Sequence, residues 1–230
     1  MDFGIGIIKR VLNLPTEVEG ELSCFGLGDW WLQTFTAAEQ ARIEAAYQRP
    51  GVPGGSRPLT AGNRSSAFQT AAGLLTAMAG QIRKNPDDRG LACKILAKAE
   101  DRALAEEDIL GLHFVYQELI RLHYTWREQF AGALDLAFAA CYRQTRIAPQ
   151  AAKAFHDLYP ARALPVHVGY ELMATILEKQ GDCAQAVECC KQAQAEGWPG
   201  NWPWRVQRMA RELSSSVTSI SPSGITPITQ

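Results

Sequence analysis

The sequence predicts an all-α protein of stacked antiparallel helical hairpins, preceded by a less regular N-terminal arm. Three observations support this. From Ser65 to about Leu213 the chain is rich in alanine and other helix formers, with apolar side chains at helical spacing. Nothing in this stretch shows the period of two that marks a strand. Proline and glycine interrupt it at short intervals, which divides it into helices of ordinary length.

Caps and breakers place the individual elements. Thr36 to Glu39 has the pattern of a capping box and starts a helix that runs to about Gln48, before a loop over 49–58. Further helices are predicted at about 65–83, 87–103, 106–126, 130–145, 149–158, 165–179, 183–196 and 202–213. Residues 1–64 are then an arm with one capped helix packed on the main domain. Residues 65–213 are the helical-hairpin domain, and residues 214–230 a disordered tail.

Composition limits the classes of function. The 230 residues are 47% hydrophobic, and 23 Lys and Arg oppose 24 Asp and Glu, for a net charge of -1. This balance argues against a generally basic nucleic-acid-binding protein. No apolar run approaches the roughly 20 residues of a membrane span, and the N-terminus lacks the order of features in a secretory signal. A cytoplasmic protein is therefore expected, and whether residues 1–15 touch a membrane stays open.

No catalytic or cofactor-binding motif is visible. The glycine-rich segments lack the residues of a phosphate-binding loop, and no nucleophile elbow occurs. The six cysteines form neither a disulfide framework nor a zinc pattern, so reduced thiols are expected. A role for the adjacent pair Cys189 and Cys190 stays open. The expected function is therefore non-catalytic, with no cofactor and no metal.

One segment, from His167 to Gly200, carries a repeat pattern. It combines large residues on its first helix, small residues where two helices meet, and Gly-Asp between the helices. The matching residues are Tyr170, Ala174, Leu177, Gly181, Asp182, Ala186, Cys190 and Ala193. In this pattern the segment resembles one tetratricopeptide repeat, a helical hairpin of about 34 residues. Two weaker units, phased on Ala92 and Ala133, precede it at unequal intervals, so a regular array is not expected.

The resemblance implies a solenoid-like groove lined by the first helix of each hairpin. Transferred position by position, the groove residues are Glu171, Thr175, Glu178 and Lys179 in the best unit, Glu118, Leu122 and Trp126 in the middle unit, and Ala77, Gln81 and Lys84 in the first. Such a groove captures another protein or a peptide by charge and shape. An adaptor or scaffold is therefore expected, with its partner, pathway and oligomeric state left open.

Two other classes of function stay open. The last helix carries Arg205, Arg208 and Arg211 on one side with Trp204 beside them, a combination suited to nucleic acid. An enzyme without a recognisable motif would instead need a concave polar site. In that case the residues to expect around it are His113, His123 or Cys141.

Overall fold

The computed structural model describes residues 18–47, 57–61 and 68–218, with side chains described as far as Glu212. Within these ranges the chain forms α-helices and one short 3-10 turn at Pro86–Asp88, and no strand. The predicted all-α class is confirmed. The helices are α1 (Glu21–Cys24), α2 (Gly28–Thr34), α3 (Ala37–Ala46), α4 (Ala71–Ile82), α5 (Arg89–Ala105), α6 (Ile109–Thr125), α7 (Ala133–Arg146), α8 (Ala148–Leu158), α9 (Val168–Lys179), α10 (Cys183–Ala195) and α11 (Trp202–Thr218).

Side-chain caps fix several helix starts. Before α3, the Glu39 N–H donates to Thr36 Oγ1 at 3.3 Å and the Thr36 N–H donates to Glu39 Oε2 at 2.8 Å, which confirms the capping box. Asp182 caps α10 in the same manner, accepting from the Gln185 N–H at 3.1 Å. Helix α4 begins later than predicted because Thr70, which accepts from the Gly73 N–H, is its cap.

Other boundaries differ from the sequence-based expectation. The sequence does not predict α1 and α2, which are too short to form alone and instead bury Leu22 and Trp31 completely. Helix α11 continues to Thr218, into the segment expected to be a tail. Residues 1–17, 48–56, 62–67 and 219–230 lie outside the described residues, together with the predictions made for them.

The chain divides after Leu122 into two compact units. In the first unit α4 and α5 form an antiparallel hairpin joined at Pro86–Asp88, and α3 packs on α4. An ion pair between Arg42 and Asp88 also ties α3 to this turn. Fully buried alanines on both helices of the hairpin allow a close approach, and they include Ala72, Ala79, Ala92, Ala99 and Ala103.

In the second unit α9 packs against both α7 and α10, and α10 packs against α11. Three alanines of the repeat pattern, Ala174, Ala186 and Ala193, have no exposed surface. Trp198 and Trp202 are buried beside them, and the Trp202 indole N–H donates to the Trp198 carbonyl at 2.8 Å. Nowhere in the described ranges is a helix both long and apolar enough to cross a membrane.

The close packing of α9 and α10 predicts a clear contrast between two alanines of α10. Ala186→Leu adds three carbons where no space exists and is expected to lower the free energy of unfolding by about 1–3 kcal/mol. Ala184→Leu on the exposed side of the same helix is expected to change it by less than about 0.5 kcal/mol. Urea unfolding followed by circular dichroism compares them. Equal effects of the two substitutions would contradict the packing described.

Candidate functional site

Helix α4 carries no charged residue, unlike the other described helices. One of its faces is buried in the core through Leu75 and Met78. The opposite face presents Gly73, Ala77 and Gly80 at helical spacing, each half-exposed. A helix that only meets solvent on its outer side normally has polar residues there. This small-residue face therefore marks a surface that something else approaches.

Helix α6 lies alongside the small-residue face and runs in the same direction. A Cβ atom added to Gly111 of α6 would lie 3.2 Å from Ala72 Cβ, and one added to Gly80 would lie 3.5 Å from Glu118 Oε2. A cleft of about 480 Å³, here called the α4–α6 cleft, opens beside these contacts. It is lined by Phe68, Gly73, Thr76, Ala77, Gly80, Gln81, Arg83, Lys84, Phe114, Gln117 and Glu118.

Residues predicted from two different repeat units meet in this cleft. Ala77, Gln81 and Lys84 come from the first unit of the repeat pattern, and Glu118 comes from the middle unit. The sequence reasoning missed Phe114, which is 39% exposed. Helix α6 is apolar on most sides, so no sequence signal separates this exposed phenylalanine from the core residues around it.

Charged groups are concentrated at one end of the cleft. Glu118 is only 7% exposed, and each of its carboxylate oxygens accepts a hydrogen bond from an arginine. Arg83 Nε donates to Oε2 and Arg121 Nη1 donates to Oε1, both at 2.7 Å. The exposed Lys84 donates from Nζ to Gln81 Oε1 at 2.8 Å. Two arginines thus bind one carboxylate, and a lysine lines the same end of the cleft.

The other two residues predicted for the middle unit do not line this cleft. Leu122 is completely buried and serves the core. Trp126 is half-buried in the turn after α6, where its carbonyl accepts from the N–H groups of Gln129 and Phe130 at 3.0 and 3.1 Å. Leu122 lies one helical turn after Glu118, and Trp126 lies just past Thr125, the last residue of α6.

In the second unit α11 covers much of the predicted groove face of α9. Arg205 donates from Nε to Glu178 Oε1 at 2.9 Å and from Nη2 to Thr175 Oγ1 at 3.1 Å. Arg208 donates from Nη2 to Glu178 Oε2 at 2.5 Å. Glu171 is exposed, but its carbonyl lies 3.4 Å from Arg205 Nη1. Two predicted groove residues, Thr175 and Glu178, therefore bind arginines of the predicted nucleic-acid face.

Two smaller features remain in the second unit. Lys179 lines a cavity of about 210 Å³ with Tyr124, Arg127, Glu128, Leu134, Ile176 and Gln180. The Arg127 guanidinium lies 4.1 Å from the centre of the Tyr124 ring. On α11, Trp204 is 57% exposed beneath the Arg208 guanidinium at 5.2 Å, and Arg211 is exposed.

The residues considered for catalysis are buried. Burial lowers the pKa of His113 to about 4, and His123 is also buried. Burial, with a smaller effect of neighbouring Cys189, raises the pKa of the Cys141 thiol to about 12. Burial and then Cys190 raise the pKa of Cys189 to about 12 as well. Protonated thiols are poor nucleophiles and poor metal ligands.

All six cysteines are free. Within the described part of the chain, no three His, Cys, Asp or Glu side chains converge as a metal ion would require. None of the clefts described above is lined by His113, His123 or Cys141.

The contact between α9 and α11 predicts unequal roles for two arginines. Arg205→Ala removes a half-buried guanidinium that joins the helices and is expected to lower the free energy of unfolding by about 1–2 kcal/mol. Arg211→Ala is expected to change it by less than about 0.5 kcal/mol because Arg211 is exposed. Thermal unfolding measures both. A freely exposed Arg205, as nucleic-acid binding requires, would make the two variants alike.

Burial of His113 predicts a pH dependence of stability. The unfolded chain protonates this histidine near pH 6.5, whereas the folded chain does so only near pH 4. Its contribution to stability is thus complete above pH 6.5 and is lost towards pH 4, at up to about 1.4 kcal/mol per pH unit. Between pH 7 and pH 5, the free energy of unfolding measured with urea should fall less for His113→Phe than for the unaltered protein. The exposed His156→Phe is the control, and an equal pH slope in all three proteins would refute the assignment.

Comparison with known proteins finds no relative of this chain. No protein-family model matches the chain, nor does any curated protein or solved structure. The function is therefore argued from the residues and their geometry.

Proposed function

We propose that this protein is a non-catalytic protein- or peptide-binding module, and that the α4–α6 cleft is its binding site. One observation carries the proposal. A cleft of about 480 Å³ brings together Gln81, Lys84 and Glu118, which the repeat pattern assigned to a groove from two separate units.

The chemistry of the lining supports binding rather than catalysis. The floor is formed by Gly73, Ala77 and Gly80, and aromatic rings of Phe68 and Phe114 stand at its sides. An aromatic residue that is partly exposed inside an apolar cleft is typical of the anchor positions at which proteins bind peptides. The charged side chains sit together, at the end of α4.

The helix arrangement also supports the resemblance to tetratricopeptide repeats. In such repeats the first helices of successive hairpins line one concave face, which is the relation that the parallel neighbours α4 and α6 have. In the second unit, α9 packs against α10 and against α7, as the first helix of a stacked hairpin would. Because α11 covers the α9 face there, we place the binding site in the first unit.

The nucleic-acid alternative has less support. Arg205 and Arg208 are engaged by Glu178, which leaves Arg211 and Trp204 as the exposed part of that face. A binder of single strands combines a continuous basic groove with several aromatic platforms. The free thiols of buried Cys141 and Cys189 fit a reducing compartment, so we place the module in the cytoplasm.

Peptide selection tests the proposal directly. A random 12-residue library displayed on phage is selected against the full chain, and enriched peptides are measured by fluorescence anisotropy. Ala77→Trp fills the cleft floor and is expected to weaken binding at least about tenfold. Ala97→Trp adds the same side chain to the exposed side of α5 and should leave binding within about twofold.

Both variants must first keep the circular dichroism spectrum and the thermal unfolding midpoint of the unaltered protein, which shows that they are folded. Loss of binding in Ala77→Trp alone supports the cleft as the site. Failure to enrich any peptide, or equal binding by both variants, would overturn the proposal.

A further inference from the structure

We infer that the α4–α6 cleft takes an acidic peptide segment, in which a carboxylate lies next to a bulky apolar side chain. The inference rests on the proposed function and names the chemistry of its partner. It follows from the division of the cleft into an apolar half and a cationic end, which the following contacts define.

The cationic end carries more positive than negative charge. Arg83 and Lys84 line it, and Arg121 joins them through Glu118. Among the described residues that line the cleft, Glu118 is the one carboxylate. Both of its oxygens are already used by the two arginines, so it offers little to a basic partner. A partner carboxylate, in contrast, would meet an ammonium group on the rim at Lys84.

The apolar half is suited to a single large side chain. Gly73 and Ala77 add little bulk to this part of the lining, and the Phe114 side chain beside them is 39% exposed. A phenylalanine or leucine of the partner would bury apolar surface here while its acidic neighbour reached the end of α4. Burial supplies affinity, and charge complementarity selects the partner.

A nucleic acid fits this site less well than a peptide. The cations are grouped at one end of the cleft rather than spread along the path of a strand. The floor offers small aliphatic groups where bases would need rings to stack on. A single-stranded oligonucleotide is therefore used below as a competitor.

The negative charge of Glu118 also affects how tightly the cleft binds a partner carboxylate. Its carboxylate occupies the position between Arg83 and Arg121 that a partner carboxylate would favour. Glu118→Gln removes one negative charge but keeps an oxygen that can accept from an arginine. Affinity for acidic peptides should therefore rise in this variant. If Glu118 were itself a contact for a basic partner, affinity would fall.

The test uses the peptides enriched against the full chain, each synthesised in an acid form and in a form with Asn and Gln in place of Asp and Glu. We expect the acid form to bind about tenfold more tightly at low salt, with the difference shrinking as salt is added. Lys84→Glu should weaken the acid form about tenfold and leave the amide form unchanged. Lys98→Glu on α5, outside the cleft lining, makes the same change of net charge and should alter neither.

Each outcome separates the inference from the proposed function. The inference would be overturned if the acid and amide forms bound equally, or if the enriched peptides were basic. In either case, loss of binding in Ala77→Trp would still support the cleft as the binding site. Displacement of the peptide by a poly-uridine strand at about 150 mM salt would also overturn it, in favour of nucleic acid. Weaker binding of the acid form by Glu118→Gln would overturn the role given to Glu118.

Discussion

Close approach of helices through alanine and glycine is the constraint on which the rest of this structure depends. In the hairpin of α4 and α5, buried alanines bring the two helices together. Ala72 of α4 also lies close to Gly111 of α6, and Gly80 lies against Glu118. The same kind of small residue lines the α4–α6 cleft, through Gly73, Ala77 and Gly80. Core and candidate site therefore have one origin in the composition of α4.

Charge is used locally, because the whole chain is close to neutral. In the second unit, Arg205 and Arg208 form ion pairs with Glu178 and hold α11 against α9. In the first unit, Glu118 holds Arg83 and Arg121 at the end of a cleft. The two clusters look alike in sequence, as acidic and basic residues on helix faces. They differ in that the second also lines an open cleft.

Local signals predicted most of the fold. Caps at Thr36 and Asp182 and the break at Pro86 placed helix ends within a few residues, because each acts within one turn. The repeat spacing assigned Gln81, Lys84 and Glu118 to a groove, and these three residues, from two repeat units, line one cleft. Burial of α1 and α2, the covering of Glu178 by α11 and the exposure of Phe114 could not be predicted, because each depends on contacts between residues far apart in the sequence.

The most direct measurement is photo-cross-linking of an enriched acidic peptide that carries benzoylphenylalanine at its apolar anchor position, followed by peptide mapping of the full chain. A ligand seated in the cleft should label the segments 68–84 and 114–121, which include its floor, its aromatic wall and its charged end. Labelling confined to α9, α10 or α11 would contradict the central claim, because it would place the partner on the second unit.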